Sequence, residues 1–344
     1  MEESRKNKEA DWTDTMWSRA LLSFDLERTK IFRPKTYETI KRVLQALNVQ
    51  GIKFSLDDIG AILTPEKQMK GCCLPIKQGP NAIVMFLAPD MEIIPQTSAD
   101  YVVAHEFAHV NLKHHQIPND NANPAQLEFE ADKLAESWGF KKPEKGKVIL
   151  EVFANLLEER LGRGKRQLTE DSVRYTFFYA LTTIGNVNPC DIILESSNTE
   201  IRREETDMMV VDKDGNPKAI LEFKCDRAIP SGKNLNETQR AGKVIRDIFR
   251  LTSYGDRNIK RYFVYVTDNN MSGYFQNPIN KLGNLFDLKE GTTFKLNNEY
   301  LQFRSPTFTK AMGRPTESLI ISAFSRDFNS GWYLRIYEIS PILQ

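Results

Sequence analysis

The chain has 344 residues, 40% of them hydrophobic and 27% charged, with a formal net charge of +1 and four cysteines. That length exceeds what one ordinary core organises and points to two domains, or three small ones, and the composition describes a soluble globular chain, not a disordered or membrane one. Balanced charge gives no sign of a polyanion partner by itself, although the second half carries the slight basic excess. From the start of the chain, "MEESRKNKEADW" is charged and lacks the apolar core of a secretory signal. No apolar run approaches the ~20 residues of a membrane span. Cys72, Cys73, Cys190 and Cys225 have no CxxC spacing and are too few for a disulfide framework, so reduced thiols and a cytoplasmic location are expected.

Residues 14–24 and 35–48 read as helices, the second carrying Ile40, Val43, Leu44 and Leu47 at helical spacing. Residues 81–87, "NAIVMFL", read as a buried strand, and Ser98 or Asp100 is a candidate cap for a helix reaching about Leu112. The turn-rich loop "QIPNDNANP" leads into a helix, "AQLEFEADKLAESWG", that stops at Gly139. Another helix covers 147–161, followed by the polar "LGRGKRQLTED". The expected division is a first domain at 1–145, a helical connector at 146–168 and a second domain at 169–344.

All four histidines, His105, His109, His114 and His115, fall within "YVVAHEFAHVNLKHH". His105 and His109 are four apart, so on a helix both imidazoles project from one face, as two ligands of a tetrahedral zinc require. Glu106 between them can act as a general base on the metal's water. A third ligand is needed, and "EFEAD" on the next helix offers Glu128 and Glu130, which both flank the apolar stripe of Leu127, Ala131, Leu134, Ala135 and Trp138. Asp132 favours Glu128. It follows one turn later, where its carboxylate can hold the outer N–H of a zinc histidine. His114 and His115 read as solvated residues near the end of their helix, where positive charge is favoured. Cys72 and Cys73, in "GCCLP", read as small core or turn residues.

"AHEFAHVNLKHH" followed by "EFEAD" resembles the zincin metallopeptidases of the ImmA/IrrE type, over about residues 35–140. The ExxAD form also resembles membrane zincins of the HtpX kind, whose spans this chain lacks. The resemblance implies an α+β zincin-like domain with His105, His109 and Glu128 holding Zn2+ and Glu106 as base.

The second half carries a different pattern. "TDMMVVD" and "KAILEFK" alternate as strands on either side of the turn "KDGNP". Glu222 and Lys224 are two apart on the second strand and share a face, and Asp207 on the first can meet them across the hairpin. Two carboxylates and an ammonium at a strand end suit a Mg2+ or Mn2+ site for phosphodiester hydrolysis. The lysine would stabilise developing charge or position water. Ile220, Leu221 and Phe223 make the strand too apolar for an edge, and burying Glu222 and Lys224 without a role would be costly.

These residues resemble the D…ExK core of the PD-(D/E)xK nuclease superfamily, over about residues 168–270, with Thr206 where the family often has proline. The flanking elements of that family also have counterparts. Glu170 opens a preceding helix, Glu195 ends the strand "DIILE", and the following helix brings Gln239, Arg240 and Lys243. A domain without histidine has no HNH-type base, which leaves carboxylate–lysine chemistry as the main route. The aromatic-rich segments "SLIISAFSRDF" and "GWYLRIYEI" near the C-terminus would extend the sheet or bind nucleic acid through Trp332, Tyr333 and Arg335, with core packing the plainer role. The resemblance implies an α/β restriction-endonuclease-like domain with a central mixed sheet.

Together the two halves predict a metal-dependent nuclease, with DNA the first substrate expected, coupled to a zinc metallopeptidase-like domain. The pairing resembles the logic of bacterial or phage conflict and DNA-damage responses. The alternatives are a regulatory zinc peptidase whose nuclease fold only senses nucleic acid, and a nuclease with a non-catalytic zincin module. Expected partners are nucleic acid and a protein substrate or regulator, with no membrane. Nothing in the sequence sets the oligomeric state.

Overall fold

The computed structural model describes residues 30–31, 33–52, 59–63, 72–75, 83–87, 89–117, 123–163, 168–197, 205–227, 236–254, 258–302 and 304–342. The expected helix at 14–24 lies outside these. The chain forms two compact units, Met1–Glu151 and Val152–Gln344.

In the first unit, α1 (Pro34–Val49) buries Ile40, Val43, Leu44 and Leu47, the residues whose spacing predicted it. Its N-cap residue, Arg33, offers no side-chain acceptor. Glu92 supplies one from elsewhere in the chain. Its Oε1 accepts from the Thr36 N–H at 2.8 Å and the Thr36 hydroxyl at 2.6 Å, and its Oε2 accepts from the Lys35 N–H at 3.2 Å. A cap of this kind stabilises a helix by ~1 kcal/mol. Strands β1 (Ile59–Leu63), β2 (Cys72–Pro75) and β3 (Ile83–Phe86) form a sheet in the order β1-β3-β2, with β1 parallel and β2 antiparallel to β3.

Helix α2 (Gln96–Asn111) begins before either expected cap, on Pro95. Ser98 is buried, and Asp100 pairs with Arg42 of α1 at 2.6 Å. Helix α3 (Pro124–Ser137) opens on an Asn123 cap with proline in its first turn, and it packs on α2 through Ala131 and Ala135. Gly139, at φ 91°, lies beyond its end in the left-handed region that suits glycine.

Helix α4 (Lys145–Gly162) carries the division between the units. The segment expected as a connector does not stand free. Val152, Phe153, Ala154 and Leu157 are fully buried, and the Phe153 ring meets Phe177 edge-on at 4.9 Å. The second half of α4 is therefore part of the second unit's core.

That unit continues with α5 (Glu170–Thr183), β4 (Ile192–Ser197), β5 (Glu205–Val211), β6 (Pro217–Asp226), α6 (Glu237–Thr252) and β7 (Lys260–Asp268). Then come α7 (Asn269–Gln276), α8 (Gly283–Phe286), β8 (Thr293–Leu296), α9 (Asn298–Leu301), α10 (Pro306–Met312), β9 (Ser318–Phe328) and β10 (Trp332–Pro341). The strands form one mixed sheet in the order β4-β5-β6-β7-β10-β9-β8. Only β6 and β7 pair in parallel, and α6 is the crossover that a parallel pair needs. One core gathers Val244, Ile245 and Ile248 of α6 with Ile220, Phe263, Ile320 and Ile339 from the sheet. Phe223 of β6 instead meets Phe177 of α5 at 5.6 Å. The β5–β6 turn closes on Asp212, whose Oδ1 accepts from the Asn216 N–H at 2.8 Å, with Gly215 at φ 82°.

The aromatic strand β10 pairs with both β7 and β9 and so extends the sheet. Arg335, on it, is 4% exposed, with its guanidinium 4.5 Å over the Phe286 ring and its Nε donating to the Phe286 carbonyl. It is a core residue, not a surface one. Among the described residues no helix is long and apolar enough to cross a membrane.

Candidate functional site

On α2, His105 and His109 bring their Nε2 atoms to 3.0 Å from each other. Glu128 of α3 closes the triangle, with Oε2 3.2 Å from His105 Nε2 and Oε1 3.5 Å from His109 Nε2. Ligands at ~2.0–2.1 Å around a tetrahedral zinc stand about 3.3 Å from one another, so the three spacings fit. Among the described residues this is the one group of three or more His, Cys, Asp or Glu side chains placed to hold a metal ion. Both imidazoles are largely covered, while the Glu128 side chain is 65% exposed and leaves one flank open to solvent.

Each ring also has a neighbour on its outer side. His105 Nδ1 lies 2.9 Å from Asp132 Oδ1 in a bent contact. Asp132 also accepts from Tyr101 and Lys142. Burial opposes its charge, but those two hydrogen bonds and the His105 ring outweigh it and hold its carboxyl below the usual range. His109 Nδ1 lies 2.8 Å from His114 Nδ1, and His114 Nε2 lies 3.2 Å from Glu130 Oε2. Burial, then the neighbouring His105 and His114, push His109 down to about 4, so it is neutral at physiological pH.

A carboxylate only accepts, so Glu130 takes the Nε2–H of His114, while Asp132 stands beside His105 Nδ1 without an aligned hydrogen bond. His114 Nδ1 and His109 Nδ1 share one hydrogen bond, whose direction follows the tautomer. The two Nε2 atoms face each other and the Glu128 carboxylate. Two imidazole nitrogens and a carboxylate at these spacings are a donor set that suits a cation. Glu106, one step along α2 from His105, is 5% exposed.

The structure departs from the sequence reading at His114. It is not a solvated helix end; it is 8% exposed, on a short turn (His114–Gln116) that folds back against His109. Lys113 makes that possible by adopting φ 57°, ψ 32°, a left-handed conformation that helical periodicity does not foretell.

In the second unit Asp207 sits at a break in two ladders. Pairing of β5 with β6 ends at Met208–Leu221, and pairing with β4 skips from Leu194–Met208 to Ser196–Thr206. Glu195 fills the gap in β4 at φ 53°, a strained value for a glutamate. Asp207 Oδ2 accepts from the Phe223 N–H at 2.7 Å, in place of a ladder carbonyl. Arg174 of α5 joins Glu195 at 2.8 Å and Asp207 Oδ1 at 3.2 Å.

Even-numbered residues of β6 meet α6. Asp226 accepts from Arg240 at 3.1 Å, Lys224 Nζ stands 4.0 Å from Asp247, and Glu222, 5% exposed, pairs with Arg250. Lys224 also reaches Glu170 at 3.2 Å. Burial opposes its charge, but Glu170 and Asp247 prevail and raise its pKa, so it is an ammonium and not a base. Burial pushes the neighbouring Cys225 thiol up to about 12, which removes it as a nucleophile. Gln239 lies half-buried in the first turn of α6.

The structure thus joins Lys224 to Glu170, and Asp207 to Glu195 through Arg174, while Glu222 lies with Arg250. The sequence reading missed Arg174, Asp247 and Arg250. The available signal was charge on a buried stripe: Asp247 is seven residues after the buried Arg240 and three before Arg250, all on one side of α6. Comparison of this chain with family models, curated proteins and solved structures finds no match.

Proposed function

We propose that the first unit is a mononuclear zinc hydrolase of the HExxH peptidase type. The observation that carries this reading is the convergence of three candidate ligand atoms at 3.0, 3.2 and 3.5 Å. His105, His109 and Glu128 would hold the metal, Asp132 would orient His105, and the open flank beside Glu128 would admit substrate. When bound, zinc would supply Lewis acidity for polarising a carbonyl and acidifying water. Glu106 would take the proton of the attacking water and hand it to the leaving amine. Metal analysis tests the reading. Purified protein should carry close to one zinc per chain. His105→Ala and Glu128→Ala should each lose it, and Glu130→Ala should still carry it. Zinc that stays in Glu128→Ala and leaves in Glu130→Ala overturns the ligand set.

A second reading concerns the second unit: a nuclease-like domain of the PD-(D/E)xK kind acting with Mg2+ or Mn2+. What favours it is the order helix, three antiparallel strands, helix, parallel strand over α5 to β7, with Asp207 at the point where β5 and β6 part. Lys224 as an ammonium suits stabilisation of phosphorane charge. The pairing of Glu222 with Arg250 and Asp207 with Arg174 favours the variant of this reading in which the domain senses nucleic acid without cutting. In that variant the arginines take up phosphates. Cleavage of DNA or RNA in Mg2+ or Mn2+ separates the two.

A further inference from the structure

The two metal-facing histidines are held from behind in different ways, and α3 supplies both anchors. Asp132 follows Glu128 by one turn, shares its face, and reaches His105 directly. Glu130 follows Glu128 by two residues, about 200° round the helix, so the same short reach to His109 is closed to it. His114 spans the gap. Its Nδ1 is 2.8 Å from His109 Nδ1 and its Nε2 is 3.2 Å from Glu130 Oε2. Glu130 is itself fixed by Gln126, whose side-chain amide donates to Oε1 at 2.7 Å.

We infer that His114, anchored by Glu130, is a positioning residue that sets the tautomer and ring plane of His109 for metal binding, an inference that rests on the metal reading of this same site. Without it, the Nδ1–H of His109 loses its acceptor. The imidazole is then free to tautomerise, place its proton on Nε2, and turn its lone pair away from His105 and Glu128. With it, the lone pair stays on Nε2 and becomes a stronger donor, because the opposite N–H is engaged.

The test uses the full chain and Zn2+ affinity read by competition with a chromophoric chelator, with folding followed by circular dichroism. His114→Ala should weaken Zn2+ binding by ~10–100-fold, the usual effect of losing an outer partner. His114→Asn sets an amide oxygen near the position of Nδ1 and should restore most of the affinity. Glu130→Ala should weaken binding by up to about tenfold while His114 is present, still carrying zinc after purification. The same change should have no effect beside His114→Asn, which cannot reach Glu130. Should His114→Ala fail to fold, the Glu130→Ala comparison in the two backgrounds carries the test. Wild-type affinity in His114→Ala, or equal loss in the Ala and Asn variants, overturns the inference. If the wild-type chain binds no Zn2+, or His105→Ala binds as well as wild type, it is the metal reading that fails.

Discussion

Histidines four apart on a helix are common; what distinguishes His105 and His109 is what surrounds them. Each has its Nδ1 beside an outer partner, Asp132 or His114, and its Nε2 turned toward Glu128. Glu106 is a separate case: in the zinc hydrolase reading it would be charged, close to the metal's water, and not itself a ligand. Glu106→Gln keeps shape and burial but removes the proton acceptor. It should retain close to one zinc per chain and lose ~10²–10⁴-fold in hydrolysis of fluorogenic peptides. Equal hydrolysis by variant and wild type would remove Glu106 as the base. The pairing of His105 with His109 was legible in the sequence because helical periodicity sets which side chains share a face; the choice of Glu128 over Glu130 needed Asp132 one turn later as well. His114 was not legible. Its place depends on one left-handed residue, Lys113, and on Glu130 arriving from another helix.

At the scale of elements, α6 does two jobs at once. Its apolar residues pack on the sheet, and Arg240, Asp247 and Arg250 meet Asp226, Lys224 and Glu222 of β6. Such a helix tolerates little displacement, and Gly242 shows how closely it is packed. A Cβ there would stand 2.6 Å from the Phe308 carbonyl oxygen and 2.8 Å from the Ala311 Cβ, both on α10. In a free helix Gly→Ala gains ~1 kcal/mol of propensity. Here backbone must move to admit the methyl, and overpacking of that kind costs ~1–3 kcal/mol. Gly242→Ala should therefore lower the urea midpoint, and a raised midpoint would show that α10 yields freely. Elements such as α1, α6 and β9 were legible because each carries an apolar period of its own. The short α7, α8, α9 and α10 and the edge strand β8 were not. A helix of four residues, such as Gly283–Phe286, has too few positions to display a period, and tertiary packing decides it.

For the whole molecule, the histidine census separates the two proposed chemistries: every imidazole lies between His105 and His115, so the second unit has no histidine ligand to offer zinc. Substitutions at Asp207, Glu222 or Lys224 should thus leave zinc content unchanged, whatever they do to nucleic acid. In the nuclease reading, Asp207 and Glu222 hold Mg2+, and removing either should abolish cleavage through loss of the cation. Lys224 plays another part. It is a charged ammonium balanced by Glu170 and Asp247, so Lys224→Ala should leave the cation site formed and remove only its stabilisation of the transition state. Loss of one such group typically costs ~10²–10³ in rate, while binding persists. Binding should fall steeply with added salt, as phosphate contacts release counterions. Plasmid and RNA cleavage in Mg2+ or Mn2+, followed beside filter binding across a salt series, reads all of these together. If wild type binds nucleic acid and cuts none, the domain is a sensor, and the arginine pairing of Glu222 and Asp207 describes its working state. If Lys224→Ala cuts as well as wild type, the D…ExK assignment is wrong, and the charged row between β6 and α6 is there to hold the fold.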